Sequence, residues 1–270
     1  MWKELGEPSA IQLVEVGPGR GTLMADVIRA ASKFPAFADA LSCHMVEVSP
    51  ELRKIQQKSV CGSDATSEYD SETGHLTSSA GASGKDGHAG VQLSWHDTFA
   101  DVPHDSGVPL IVLGQEFLDA LPVHQFEKTH LGWCERLVDL AEPGAPADAS
   151  ADETQERPWF RLVNSPGKTP ATVAYIQDQF GTGQVGDSLE VCPAACAVVQ
   201  DVALRLQRDG GAALFIDYGP GLEEGPPAQS VRSIAKHGFL HFLHKPGQVD
   251  VTVCYFLRAV EMWWGCVDNK

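Results

Sequence analysis

The segment Ile11-Gln12-Leu13-Val14-Glu15-Val16-Gly17-Pro18-Gly19-Arg20-Gly21-Thr22-Leu23 constrains this chain more than any other. A β-prone apolar run carries a carboxylate near its end. Glycines follow at 17, 19 and 21, and then a helix-compatible stretch from Thr22 to Lys33. This order predicts a buried strand, a tight turn and a helix N-terminus. Glycines in such a turn let backbone approach a ligand that a Cβ would block. A second strand ending in acid, Cys43–Val48, follows one βα unit later and places Glu47 where a carboxylate accepts hydrogen bonds from ribose hydroxyls. The pair predicts an α/β fold built on a parallel sheet, with a site for an adenosine-containing cofactor.

The rest of the chain extends that pattern. Pro50 opens a second helix at its favoured first-turn position, running to Lys58. Residues 59–90, rich in Ser, Gly, Asp and Ala, lack the apolar surface that offsets ordering entropy, and are expected to form a disordered loop in which His75 and His88 are solvated. Strands are expected at Val91–Trp95 and Leu110–Leu113, the latter with the continuous apolar character of a central parallel strand. Residues 123–138 read as a hairpin turning at His130-Leu131-Gly132, followed by a polar loop over Ala141–Arg157 and a strand over Trp159–Val163. A helix from Pro193 to Arg208 ends at Gly210-Gly211, and a strand over Ala212–Ile216 closes on Asp217-Tyr218-Gly219. Residues 220–235 read as a loop, and Phe239–Leu243 with Val249–Phe256 as a last strand pair. The expected organisation is a Rossmann-like core of 1–121 and 188–270, with 122–187 as a β-rich insertion suited to substrate recognition.

The glycine spacing bears on the cofactor. The dinucleotide fingerprint is G-x-G-x-x-G; here the turn is one residue tighter, and Glu15 stands two residues ahead of Gly17. The form E-x-G-x-G-x-G is typical of S-adenosylmethionine-dependent methyltransferases, whose cofactor has an amino-acid end with an ammonium group that favours nearby acid. Glu15, Gly17, Gly19, Gly21 and Glu47 are the candidate cofactor-binding residues. Asp97, past the strand ending at Trp95, reads equally as a partner of the adenine amino group and as a turn residue. An NAD-linked oxidoreductase is the alternative favoured by Glu47 and disfavoured by the short spacing.

The first motif, Val14–Leu23, resembles that of the MidA-like family. Further segments match in order: Val46–Arg53, Glu116–Phe126, Gly132–Val138, Ile216–Gly219, and the late stretch from Lys236 through Thr252. The Glu116–Phe126 block is the most distinctive. The resemblance implies a class I methyltransferase fold, S-adenosyl-L-methionine as cofactor, and methyl transfer to an arginine of a respiratory complex I subunit in the mitochondrial matrix. The chain departs from the family in having Gln115 in place of the usual Asn and Cys254 in place of an acidic residue. Only ten residues precede Ile11 and the chain stops at Lys270, which reads as a family member truncated at both ends. A non-catalytic binding protein is therefore the second functional reading.

Guanidinium methylation needs carboxylates, because an arginine side chain is charged and delocalised and must be gripped through its N–H groups to present one nitrogen. Glu116 and Asp119, just past the strand over Leu110–Leu113, are the candidate catalytic residues; Asp119 also reads as a helix-terminal charge or cap. Tyr218 and its neighbours read either as lining for the acceptor or as structural, and His124 as a satisfied strand histidine.

Composition sets the outer bounds. A 270-residue chain with 43% hydrophobic content can bury a large α/β core. A net charge of −16 argues against nucleic acid as partner and suits a basic protein segment. Seven cysteines at 43, 61, 134, 192, 196, 254 and 266 include no Cys-x-x-Cys, so reduced thiols are expected rather than a metal site. No apolar run reaches membrane-spanning length, and the N-terminus shows no transit pattern. Trp263-Trp264 reads as an exposed patch.

Overall fold

The computed structural model describes residues 2–62, 66–69, 76–79, 92–104, 107–141, 159–176, 183–217, 230–235, 238–240, 243 and 247–253. Two compact units divide the chain: 1–118 with 197–217, and 119–196 with 218–270.

The first unit is built on β1 (Ile11–Val16), the strand that opens the glycine motif. All six of its residues are buried, because it lies at the centre of the sheet. It pairs in parallel with β2 (Leu41–Val46) on one side and β6 (Leu110–Gln115) on the other. Beyond β2 lies β5 (Gln92–His96), and beyond β6 lies β11 (Gly211–Ile216), both parallel. Helices cover both faces. Met24 and Ile28 of α1 (Thr22–Ala31) and Val60 of α3 (Pro50–Cys61) join Ile11, Leu13 and Met45 on one side. Val202 of α5 (Pro193–Asp209) joins Val14, Val16 and Val112 on the other. This is the expected doubly covered α/β sheet, with order reversal at β1.

Gln12, buried in β1, has partners that the fold supplies. Gln12 donates to the Pro103 carbonyl at 3.0 Å and accepts from Arg205 of α5 at 2.6 Å. Arg205, only 8% exposed, also donates to the carbonyls of Val102 and Pro103, and its guanidinium lies 5.4 Å from the Phe99 ring centroid. A buried guanidinium is tolerated where both its terminal nitrogens are occupied in this way.

Two expectations are corrected. Residues 59–90 are not loop throughout: α3 extends to Cys61, and β3 (Thr66–Tyr69) and β4 (Leu76–Ser79) form an antiparallel extension of the sheet on β5. Main-chain hydrogen bonding to an existing sheet edge needs no apolar run, so composition alone missed these strands. The stretch 63–65, 70–75 and 80–91, with His75 and His88, lies outside the described residues. α2 (Pro35–Ala40), between α1 and β2, was also not anticipated.

The second unit holds a sheet in which β7 (His124–Thr129) is flanked by β10 (Ser188–Val191) and β8 (Gly132–Leu140), with β9 (Phe160–Asn164) beyond, all antiparallel. The expected hairpin is β7–β8. A short helix, α4 (Pro170–Tyr175), is capped by Thr169. A three-stranded sheet places β12 (Val231–Ala235) between β13 (Gly238–Leu240) and β14 (Asp250–Val253). The last strand pair is corrected accordingly: β13 and β14 each pair with β12, from the stretch read as loop, and not with one another. Residues 188–196 and 218–270 group with this unit, β10 by pairing with β7, whereas the sequence reading places them with the core. Most of Ala141–Arg157, Tyr218-Gly219, Cys254, and Trp263-Trp264 lie outside the described residues.

Candidate functional site

The three glycines of the turn are needed for three different reasons. All have positive φ: 64° at Gly17, 52° at Gly19 and 78° at Gly21. A Cβ on Gly17 would lie 2.5 Å from Cδ2 of Phe117, and one on Gly21 would lie 3.2 Å from the Gln56 backbone. These two positions are closed by the protein itself. A Cβ on Gly19 would meet nothing within 4 Å, so only there does the turn face open space. Of the three, Gly19 alone leaves the room that close approach of a ligand would need.

Glu15 is the most unusual group of the turn. It sits at 3% exposure, one residue from the end of β1, and its Oε2 has no hydrogen-bond partner among the described residues. Burial pushes its carboxyl up to about 7, against a smaller opposing effect of the Met24 N–H. A buried carboxylate oxygen left without a donor is costly, and a ligand ammonium would remove that cost.

Glu47 follows β2 and is held in place. Its Oε1 accepts from the Ser49 N–H at 2.8 Å and its Oε2 from the Gln56 amide at 3.1 Å. Each carboxylate oxygen accepts two hydrogen bonds, so capacity for a diol remains. Ser49 then caps α3, accepting from Leu52 N at 3.3 Å, and Pro50 supplies the first turn. Arg53 on the next turn donates to the Glu47 carbonyl at 2.6 Å and to Asp97 Oδ1 at 2.5 Å. Asp97, with a side chain 73% exposed, is thereby tied to α3.

Glu116 stands immediately after β6, exposed, with φ of 47°. A non-glycine residue in left-handed backbone persists only where its surroundings fix it. Here the end of β11 does so. The Glu116 N–H donates to the Ile216 carbonyl at 2.8 Å, and the Leu118 N–H donates to Asp217 Oδ2 at 3.0 Å. The intervening Phe117 ring packs against Gly17. Asp217 thus shapes the segment that carries Glu116.

In the second unit Asp119 is buried, and its Oδ2 accepts from the Thr252 hydroxyl at 2.7 Å. His124 pairs with Glu135 through Nδ1 at 2.8 Å, the satisfied arrangement expected of it. Glu190 accepts from Gln125 and Ser230, and burial raises its carboxyl.

The first unit therefore brings Glu15, Gly17, Gly19, Gly21 and Glu47 together around the carboxyl ends of β1 and β2, with Asp97 tied to α3 at the end of β5. Gln56 and Phe117 are structural contributors that sequence reasoning missed, and Asp217 takes the structural of the two roles open to the segment after β11. The five described cysteines are free thiols, and burial pushes that of Cys43 up to about 12. Among the described residues no group of three or more His, Cys, Asp or Glu is placed to hold a metal, and no helix is long and apolar enough to cross a membrane.

These residues fit S-adenosyl-L-methionine on three observations: the donor-less Glu15 oxygen, the open space at Gly19 and the spare acceptor capacity of Glu47. Comparison with known proteins agrees. Residues 1–264 match the family "Putative S-adenosyl-L-methionine-dependent methyltransferase". The mitochondrial protein arginine methyltransferase NDUFAF7 of Danio rerio is 35% identical over 253 residues, covering 93% of this chain and 53% of that protein. Its Drosophila melanogaster homolog is 37% identical over 251 residues, covering 93% and 52%. The chain thus spans about half the length of these curated relatives. A Burkholderia thailandensis protein solved bound to S-adenosyl-homocysteine superposes with a TM-score of 0.62 at 26% identity, over 97% of this chain and 57% of that one. The fold is that of a class I methyltransferase, and the chain belongs to the S-adenosyl-L-methionine-dependent methyltransferase family that its residues 1–264 match.

Proposed function

We propose that this chain transfers a methyl group from S-adenosyl-L-methionine to an arginine side chain of a protein. The observation that carries the reading is the buried, donor-less oxygen of Glu15 in the strand that leads into the glycine turn. When bound, the cofactor supplies a methyl group activated by positive sulfur. In this reading Glu15 receives the cofactor ammonium, Glu47 accepts from the ribose hydroxyls, and Gly19 leaves room for the cofactor chain. Asp97 is the candidate for the adenine amino group through the oxygen that Arg53 does not hold.

The residues' remaining task is alignment and charge. Glu116 would accept N–H groups of the acceptor guanidinium and turn a third nitrogen toward the methyl donor. Transfer to a guanidinium releases one proton, and an exposed carboxylate can pass it to water. The left-handed backbone of Glu116, fixed by Ile216 and Asp217, supports this role, since such strain concentrates at functional positions. Asp119 is the second carboxylate of the proposal, acting with one oxygen engaged by Thr252.

The names of the relatives support a protein substrate and a mitochondrial setting. The MidA-like resemblance points to a respiratory complex I subunit met in the matrix, and the net charge of −16 favours a basic segment. A second reading is docking of a basic protein segment without turnover, for which the net charge of −16 alone would suffice.

Calorimetric titration with S-adenosyl-homocysteine, followed by mass spectrometry of arginine-containing acceptors incubated with S-adenosyl-L-methionine, tests both. Binding together with methylarginine that disappears in Glu116→Gln supports the enzyme. Binding without methylarginine supports the docking reading, and a folded chain that binds neither ligand refutes both cofactor-dependent readings.

A further inference from the structure

Gln56 is fully buried on α3, and its side chain is satisfied on both ends of the carboxamide. Its Nε2 donates to the Gly19 carbonyl at 2.8 Å and to Glu47 Oε2 at 3.1 Å. Its Oε1 accepts from the Trp95 indole N–H at 2.8 Å. The chemistry fixes the orientation of the amide. An indole N–H only donates, while a carbonyl and a carboxylate only accept, so oxygen must face Trp95 and nitrogen must face Gly19 and Glu47. Turning the amide over would set like against like on both sides. Trp95, itself 0% exposed on β5, therefore locks the direction in which Gln56 donates.

We infer that Gln56 is a positioning residue that couples the glycine turn to the ribose-binding carboxylate. One amide group is shared between the one glycine of the turn that faces open space and the carboxylate assigned to the diol. Gly21 is glycine because α3 brings the Gln56 backbone against it, so the same residue also sets the far wall of the turn. Without the amide, Glu47 Oε2 loses a buried donor and is free to turn away from its ligand-accepting direction. A carboxylate held before the ligand arrives loses less side-chain freedom on binding, so pre-organisation by Gln56 adds affinity. The inference rests on the S-adenosyl-L-methionine reading of Glu15, Gly19 and Glu47 and deepens it.

The test is a double-mutant cycle read by S-adenosyl-homocysteine affinity, with melting curves recorded alongside. Gln56→Met keeps the length of the side chain and removes both donors and the acceptor. Loss of a hydrogen bond to a charged group predicts affinity about 10-fold to 100-fold weaker in the otherwise native chain. In a Glu47→Ala background the same substitution is expected to cost less than about 3-fold, because the group it positions is gone. Trp95→Phe, which removes the lock but neither donor, gives a smaller loss of about 2-fold to 5-fold and serves if Gln56→Met does not fold. An equal loss in both backgrounds would show Gln56 to be a packing residue of the turn and overturn the inference. Unchanged affinity in Gln56→Met and in Trp95→Phe would overturn it as well. Failure of the native chain itself to bind would instead sink the cofactor reading on which the cycle depends.

Discussion

Replacing Glu15 by glutamine should make the chain more stable at neutral pH while spoiling its cofactor site. In the folded protein the carboxyl titrates at about 7 against an ordinary value of 4.5. At about 1.36 kcal/mol per pKa unit, the difference amounts to about 3.4 kcal/mol at most. The sign follows from proton counting. Between the two values the folded state holds a proton that the unfolded state has lost, so stability falls as pH rises through that window. The favourable contribution is complete below the unfolded value and gone above about 7. Of the whole, about 2.5 kcal/mol disappears between about pH 5 and about pH 8. The uncharged amide of Glu15→Gln does not titrate, so the stability difference between variant and native chain, from urea denaturation, should grow by about that amount across the same interval. Other titrating groups cancel in the difference. S-adenosyl-homocysteine should show the converse. Its ammonium favours the ionised carboxylate, so native affinity should weaken below about pH 7 by up to about 10-fold per pH unit, and that dependence should vanish in Glu15→Gln. A variant-minus-native difference that stays flat with pH would refute the argument, because it would mean that Glu15 is already ionised in the free protein.

The other expectations separate fold from site. Gly17→Ala drives a Cβ into Phe117 and should cost about 1–3 kcal/mol, or several degrees of melting temperature, whereas Gly19→Ala pays only for its backbone conformation, about 1 kcal/mol, yet should lose S-adenosyl-homocysteine binding in calorimetry. Arg205→Met leaves Gln12 Oε1 and the Val102 carbonyl without the donor Arg205 supplies, takes one of two donors from the Pro103 carbonyl, and should destabilise the chain by about 2–4 kcal/mol in denaturant. Asp97→Asn should change stability by less than about 1 kcal/mol, since its pair with Arg53 lies at the surface; a fall in cofactor affinity beyond about 3-fold would then report a direct adenine contact.

What could be read from the sequence was what local pattern encodes. β1, β6 and α5 announce themselves by apolar runs and by glycine or proline at their ends, and the two carboxylates Glu15 and Glu47 by their distance from those ends. The strands β3 and β4 did not, because segments such as Thr66–Tyr69 and Leu76–Ser79 have little apolar content and owe their pairing to an edge offered by β5. β12 was hidden by its length, being five residues long and paired with strands of only three and four residues. Within the site, the identity of the turn glycines was legible but their separate reasons were not. Phe117 reaches Gly17 from a hundred residues away, and Gln56 reaches Gly21 from α3, beyond α1 and α2. Contacts of that range leave no periodic trace. The strained backbone at Glu116 was likewise invisible, because it is imposed by Ile216 and Asp217 and not by its own neighbours.

The separation between Glu116 and its supports bears on how the protein is born. Glu15, Gly19, Glu47, Gln56, Trp95 and Asp97 all leave the ribosome within one contiguous stretch, whereas the carbonyl and carboxylate that hold the Glu116 segment belong to residues 216 and 217. At about 5–20 residues per second, translation needs about 5–20 s to bridge that gap. During that interval a nascent chain carries every group assigned to the nucleoside but nothing that fixes the acceptor-side carboxylate. Methyl-donor capture would then precede transfer competence in synthesis as well as in the reaction, with Ile216 and Asp217 arriving before the Thr252 that holds Asp119.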